Sequence, residues 1–220
     1  MVELQRVLPC PCDSPAASMT AIHDSDQIFT KEKVFHTLEV LDDACTTFRS
    51  EHVFSIRAEL RSRFYNRRFQ WTGSDDDEEP ILQTTYDKWG YPLHRIHGPI
   101  IREGPWRIVV VDLGRTLEIG EEDILHFHHR LRDLNGKFEP YLSHAPQPGT
   151  KNIILHVILP KSLAHDVVFD DRMLDTDKVI DSEGLTGEPL DAARMLFAKE
   201  VPNPAQLNRV YRIRWKHPLR

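Results

Sequence analysis

The stretch Trp106–Pro160, WRIVVVDLGRTLEIGEEDILHFHHRLRDLNGKFEPYLSHAPQPGTKNIILHVILP, decides the fold class. Ile108, Val109, Val110 and Val111 form an apolar, mostly β-branched run that favours a buried strand, and Gly114 suggests the turn that ends it. Ile124–Leu131 alternates: Leu125, Phe127, His129 and Leu131 share one face, and Ile124, His126, His128 and Arg130 the other. Leu125, Phe127 and Leu131 are the core residues of that strand. Lys151–Pro160 places Ile153, Leu155, Val157 and Leu159 on one side and Ile154, His156 and Ile158 on the other. With both faces mostly apolar, this strand belongs in the middle of a sheet, and Pro160, which has no N–H to donate, ends it.

Upstream, Val34, Leu38, Leu41 and Cys45 fit a helical period, while Val34, His36, Leu38 and Val40 fit one strand face. The residues just downstream decide for strands. Asp42-Asp43-Ala44 reads as a turn, and Thr46–Arg57 returns with Phe48, His52, Phe54 and Ile56 on one parity, which together predict a long hairpin. In Arg57–Trp71, Phe64 and Phe69 fall on opposite parities, predicting a bulge or loop near Tyr65-Asn66 with arginines on the wet faces of two strands. Gly73–Pro80, GSDDDEEP, reads as a solvated acidic loop. The Gly- and Pro-rich stretch 81–105 excludes long regular elements, with Trp89 and Tyr91 expected to cover an end of the core.

Towards the C-terminus, Val167–Phe169 reads as a strand and Asp170-Asp171 as a turn, with Asp170, Asp171, Asp175 and Asp177 as an acidic surface loop. Pro189–Glu200 predicts a C-terminal helix, because proline suits a first turn and Leu190, Ala193, Leu196 and Phe197 share a face. Arg209–Lys216 predicts a closing strand with Tyr211, Ile213 and Trp215 inward. Arg212, Arg214 and Lys216 form a charged face that discourages edge pairing. The organisation is a flexible tail over residues 1–28 and a single β-rich domain over 29–220.

Composition narrows the function classes. A net charge of −6 gives no global attraction to nucleic acid or to an anionic membrane. Cys10, Cys12 and Cys45 are an odd set without zinc-site spacing, so neither a disulfide framework nor a cofactor is expected; a reducing, cytoplasmic compartment is the expectation. No run of ~20 apolar residues is available to span a membrane.

Two motifs invite chemistry. Gly120, five residues, then His126-Phe-His128 resembles the start of the first cupin motif, in which alternate strand residues chelate one metal ion. Asp133 could stand for the carboxylate a few residues on, but the later glycine and the second motif are missing, so a solvated strand face is preferred. Arg61, Arg63, Arg67 and Arg68 with Phe69 and Trp71 imitate a single-strand nucleic-acid surface, yet two amphipathic strands account for them more simply. Trp89, Tyr91 and Trp106 are the candidate interaction residues on aromatic loops.

The order of elements and the segments LEIGEED, ILHFHHRL and KNIILHVILPKSLAHDVVF resemble, over roughly 33–172, the immunoglobulin-like β-sandwich accessory domain attached to helix-turn-helix regulators in actinobacteria. The resemblance implies an interaction or sensing module rather than a catalyst. The chain departs from that pattern at Ile119-Gly120-Glu121, which lacks the proline. The expected fold is therefore mainly β, an immunoglobulin-like sandwich with one C-terminal helix, and a cupin-like barrel is the alternative. The expected function is non-enzymatic binding or regulation through another protein or a ligand. A metal-dependent enzyme using His126 and His128, and a nucleic-acid binder using residues 57–71, are the alternatives.

Overall fold

The computed structural model describes residues 28–71, 80–104, 106–205 and 208–216. The chain runs through β1 (Phe29–Val40), β2 (Thr47–Ala58), β3 (Ser62–Gln70), β4 (Ile81–Gln83), β5 (Arg95–Ile96), β6 (Ile101–Glu103), β7 (Trp106–Leu117) and β8 (Glu122–Arg132). It continues through β9 (Tyr141–His144), β10 (Asn152–Pro160), β11 (Val168–Met173), β12 (Val179–Gly184), β13 (Glu188–Pro189), β14 (Arg194–Pro202) and β15 (Arg209–Arg214). These build a seven-stranded sheet, β13-β14-β10-β1-β2-β8-β4, and two four-stranded sheets, β12-β11-β15-β9 and β3-β7-β5, with β6 also on β7. The fold is mainly β, as expected, and among the described residues the large sheet ends at β13 and β4 without closing into the alternative barrel.

The hairpin of β1 and β2 forms as its alternation predicts, with Val40 opposite Phe48 and Val34 opposite Phe54. Its turn is organised by Asp42, whose carboxylate accepts the backbone N–H groups of Ala44, Thr46 and Thr47 at 3.0, 3.0 and 2.7 Å. β10 is central, parallel to β1 and antiparallel to β14, and Ile153, Leu155, Val157 and Leu159 are fully buried. Leu125, Phe127 and Leu131 of β8 are buried as their parity requires. At about 1.5–3 kcal/mol for each large apolar side chain removed from water, this inner face supplies the main driving force for assembly. The smaller sheets complete one core: Tyr65 of β3 packs its ring 5.6 Å from Phe29 and 5.5 Å from Phe54, and Phe138 lies 4.3 Å from Phe48.

Several local expectations are corrected. Residues of the predicted helix Pro189–Glu200 instead form β13 and β14, because β10 exposes a full edge of backbone donors and acceptors, and β14 pairs with all of it from Asn152 to Pro160. Leu190 is consequently exposed, and the carboxylate of Asp191 accepts from the N–H groups of Ala193 and Arg194 in the turn that precedes β14. β3 runs straight through Tyr65-Asn66; its irregularity lies between Ser62 and Phe64. Gly114 lies inside β7 rather than in a turn, at φ +72, where a Cβ would sit 2.2 Å from the carbonyl oxygen of Leu93. Asp170 and Asp171 belong to β11, and Asp170 is fully buried beside Ser182, Arg172 and Arg214. β15 is internal, between β11 and β9, so its charged face protects no edge. Trp89 and Tyr91 cover no core: they are 72% and 68% exposed. The predicted tail lies outside the described residues apart from Ile28, and so do Gly73–Glu79 of the acidic loop, Cys10 and Cys12. Among the described residues no helix is long and apolar enough to cross a membrane.

Candidate functional site

The inner face of β1, β2 and β8 carries polar side chains in two neighbouring rows that make one polar level of the core. There the registers set His36 of β1 opposite His52 of β2, and Ser50 of β2 opposite His129 of β8. Arg67 reaches the same level from β3 and His144 from β9. The rings of His36 and His52 stack at 4.5 Å, and that of His144 meets His52 edge-on at 5.8 Å. One nitrogen from each of these three histidines lies within 4.8 Å of the others.

Arg67 organises the polarity. It is 2% exposed, with its guanidinium carbon 4.2 Å from the Phe127 ring centroid and 5.0 Å from that of Phe69. Nη1 lies 3.0 Å from His129 Nε2 and Nη2 lies 3.2 Å from His52 Nδ1, while Nε reaches no partner. A guanidinium only donates, so both imidazole nitrogens must accept, which fixes the ring proton of His52 on Nε2 and that of His129 on Nδ1. Among the described residues no carboxylate comes within ion-pair distance of Arg67. Burial lowers its pKa to about 9, which leaves it charged at neutral pH.

The histidines are correspondingly neutral. Burial, helped by the charge of Arg67, pulls His36 down to about 3. Burial is also the main cause for His52, His129 and His144, reinforced by neighbouring histidines and by Arg67 for the first two, and by Lys31 and His36 for His144. His36 Nε2 lies 3.2 Å from Ser50 Oγ. His36 Nδ1, His52 Nε2 and His144 Nε2 are buried without a hydrogen-bond partner.

These groups line a cavity of ≈ 550 Å³, within the range of small-molecule sites. Phe69, Trp71, Leu131, Phe138 and Leu142 give the wall an aromatic and apolar portion, beside the polar Asn66, Arg68, Ser143 and Gln147. Glu103, exposed at the rim, is the acidic residue of the lining. The arrangement offers one buried cation, neutral imidazole donors and acceptors, and an aromatic wall. The three clustered histidines could hold a metal only if Arg67 released His52: its Nδ1 lone pair is occupied, and its Nε2 carries the proton.

The residues singled out from sequence are placed elsewhere. His126 and His128 share the outer face of β8, with rings 5.6 Å apart, and His126 Nε2 is 2.6 Å from Glu51 Oε1 on β2. Asp133, 1% exposed, accepts the N–H of Phe138 at 2.6 Å in the turn after β8 and does not join them. His126 borders a second, open hollow of ≈ 1080 Å³ with Ile81, Tyr86, Leu93, His94 and Asp123. Trp106 lies on the wall of the first cavity under the guanidinium of Arg68, 4.2 Å away, whereas Trp89 and Tyr91 line neither hollow. The arginines of 57–71 are dispersed: Arg61 pairs with Glu118, Arg63 with Asp112, and Arg67 points inward. They form no shared cationic surface.

Sequence reasoning passed over His36, His52, His129, His144 and Arg67 as a group. A partial signal was present, since His36, His52 and His129 each share a parity with core residues.

No protein-family model matches the chain, and no curated protein does. Among solved structures, an M1 zinc metallopeptidase from Deinococcus radiodurans is similar over 86% of this chain and 42% of its own, at 12% identity and a TM-score of 0.46. A two-domain M1 zinc metallopeptidase mutant bound to L-arginine gives 12% identity, 86% and 43% coverage, and a TM-score of 0.45. The chain thus spans less than half the length of these proteins, and a likeness at this level assigns it neither fold nor activity.

Proposed function

We propose that this chain is a non-enzymatic binding module whose ligand is a small molecule held in the cavity between the three sheets. The observation that carries this reading is a space of ≈ 550 Å³ lined by His36, His52 and His144, each of which holds a buried ring nitrogen without a hydrogen-bond partner. Buried polar atoms are normally hydrogen-bonded, and a ligand with complementary groups satisfies them.

Binding accounts for the site better than catalysis does. Ser50 and His36 have the spacing of a nucleophile and its base, but a histidine held at about 3 is a poor proton acceptor near neutral pH, and its Nδ1 meets no orienting acid among the described residues. The clustering of His36, His52 and His144 favours a metal centre as a second reading. Arg67 opposes it, by occupying His52 Nδ1 and by repelling a dication.

The test is a thermal-denaturation screen of the full chain with neutral aromatics, organic acids and divalent metal ions, repeated on Ala145→Trp, which fills the cavity from its lining. Stabilisation by small molecules that disappears in the variant is the expected result. Stabilisation by none of them, or equal stabilisation of both proteins, overturns the reading.

A further inference from the structure

We infer that the ligand is an organic carboxylate, its head group held by Arg67 with the Nε2–H of His52 and its apolar body lying along Phe69 and Trp71. This rests on the cavity being a small-molecule site and names the chemistry that the site selects.

Three observations lead there. First, among the described residues the hydrogen bonds of the buried Arg67 cation go only to neutral imidazoles, and its Nε–H is unused. A charge kept out of water without a counter-charge is costly, and a ligand carboxylate supplies the missing partner in the geometry that guanidinium groups match best. Second, because Arg67 fixes the ring proton of His52 on Nε2, the unpartnered nitrogen of His52 is a donor, and that suits an acceptor oxygen rather than a metal ion. Third, Arg67, Phe69 and Trp71 lie at alternate positions, so they succeed one another along one side of β3 and its end, all on the cavity wall. The buried cation and two aromatic rings of the space are thereby ordered along one strand and its end. Lys31 adds positive charge to the same wall, against Glu103 at the rim.

The experiment titrates the full chain with benzoate, 3-phenylpropionate and octanoate, each beside its neutral amide, and separately with zinc, by calorimetry. In parallel, the Arg67 Nε–H resonance is followed by NMR in the wild-type protein, which needs no variant. The expected result is a carboxylate that binds at least tenfold more tightly than its amide and shifts the Nε–H resonance. Arg67→Met, which keeps an unbranched stem over Phe127, is expected to remove that preference. Amides binding as well as acids would overturn the carboxylate inference and leave the cavity reading standing. No binding by either set would overturn both. Stoichiometric zinc binding that is lost in His144→Ala would replace the carboxylate with a metal.

Discussion

Arg67 donates to His52 Nδ1 across 3.2 Å, from a strand of one sheet to a strand of another, and this bond sets the protonation pattern of the interior. The ring proton of His52 lies on Nε2 and that of His129, which receives the other terminal nitrogen of Arg67, lies on Nδ1. Long-range ¹⁵N–¹H NMR on the full chain at pH 7 is expected to show these opposite tautomers. The same tautomer in both rings would contradict the assignment.

Removing the charge should not unfold the protein. Arg67→Met eliminates a buried cation that has no carboxylate partner among the described residues and keeps an apolar stem against Phe127 and Phe69. Urea unfolding of the ligand-free chain is expected to show stability unchanged or raised by about 1–4 kcal/mol. A loss of several kcal/mol would mean that the imidazole bonds outweigh the desolvation of the guanidinium.

Acid should destabilise the fold earlier than its carboxylates alone would. The folded-state pKa values of His36, His52, His129 and His144 lie below the ordinary 6.5, at about 3 for His36. Unfolded chains then bind protons that the folded chain refuses, so this contribution is fully present above pH 6.5 and is lost as pH falls towards the folded values. Each such histidine adds a slope of about 1.4 kcal/mol per pH unit within that window. Unfolding free energies measured from pH 7.5 to 4.5 should fall steeply below 6.5, and His36→Phe should flatten the slope by about one histidine's share.

Asp170 is a structural centre rather than a surface acid. Its fully buried carboxylate accepts from Ser182 at 2.7 Å, Arg214 at 2.7 Å and Arg172 at 3.2 Å. Burial opposes its ionised form, but these partners prevail and hold its pKa below the ordinary value. Asp170→Ala leaves Arg172 partly buried without this acceptor and should cost about 3 kcal/mol in urea unfolding. A cost under 1 kcal/mol would show that its ion pairs contribute little to the fold.

Alternation made the large sheet legible from the amino-acid order. The parities of Val34–Val40, Phe48–Ile56, Leu125–Leu131 and Ile153–Leu159 give the inner faces directly, because strand side chains alternate whatever the partner. Partners across the fold were not legible. Pro189–Glu200 reads locally as a helix because Leu190, Ala193, Leu196 and Phe197 fit the helical period, and the edge of β10 that captures its second half as β14 lies far away in the chain. The site was half visible: once the hairpin turn centres on Ala44, His36 must face His52. That Arg67 and His144 arrive opposite them depends on how three sheets pack, which no local pattern encodes.

The most direct test of the central claim is a crystal structure of the full chain grown with 3-phenylpropionate. The carboxylate is expected within hydrogen-bond distance of Arg67 and of His52 Nε2, with the phenyl ring against Phe69 and Trp71. An empty cavity at saturating ligand, or a metal ion bound by His36, His52 and His144 with Arg67 turned away, would contradict it.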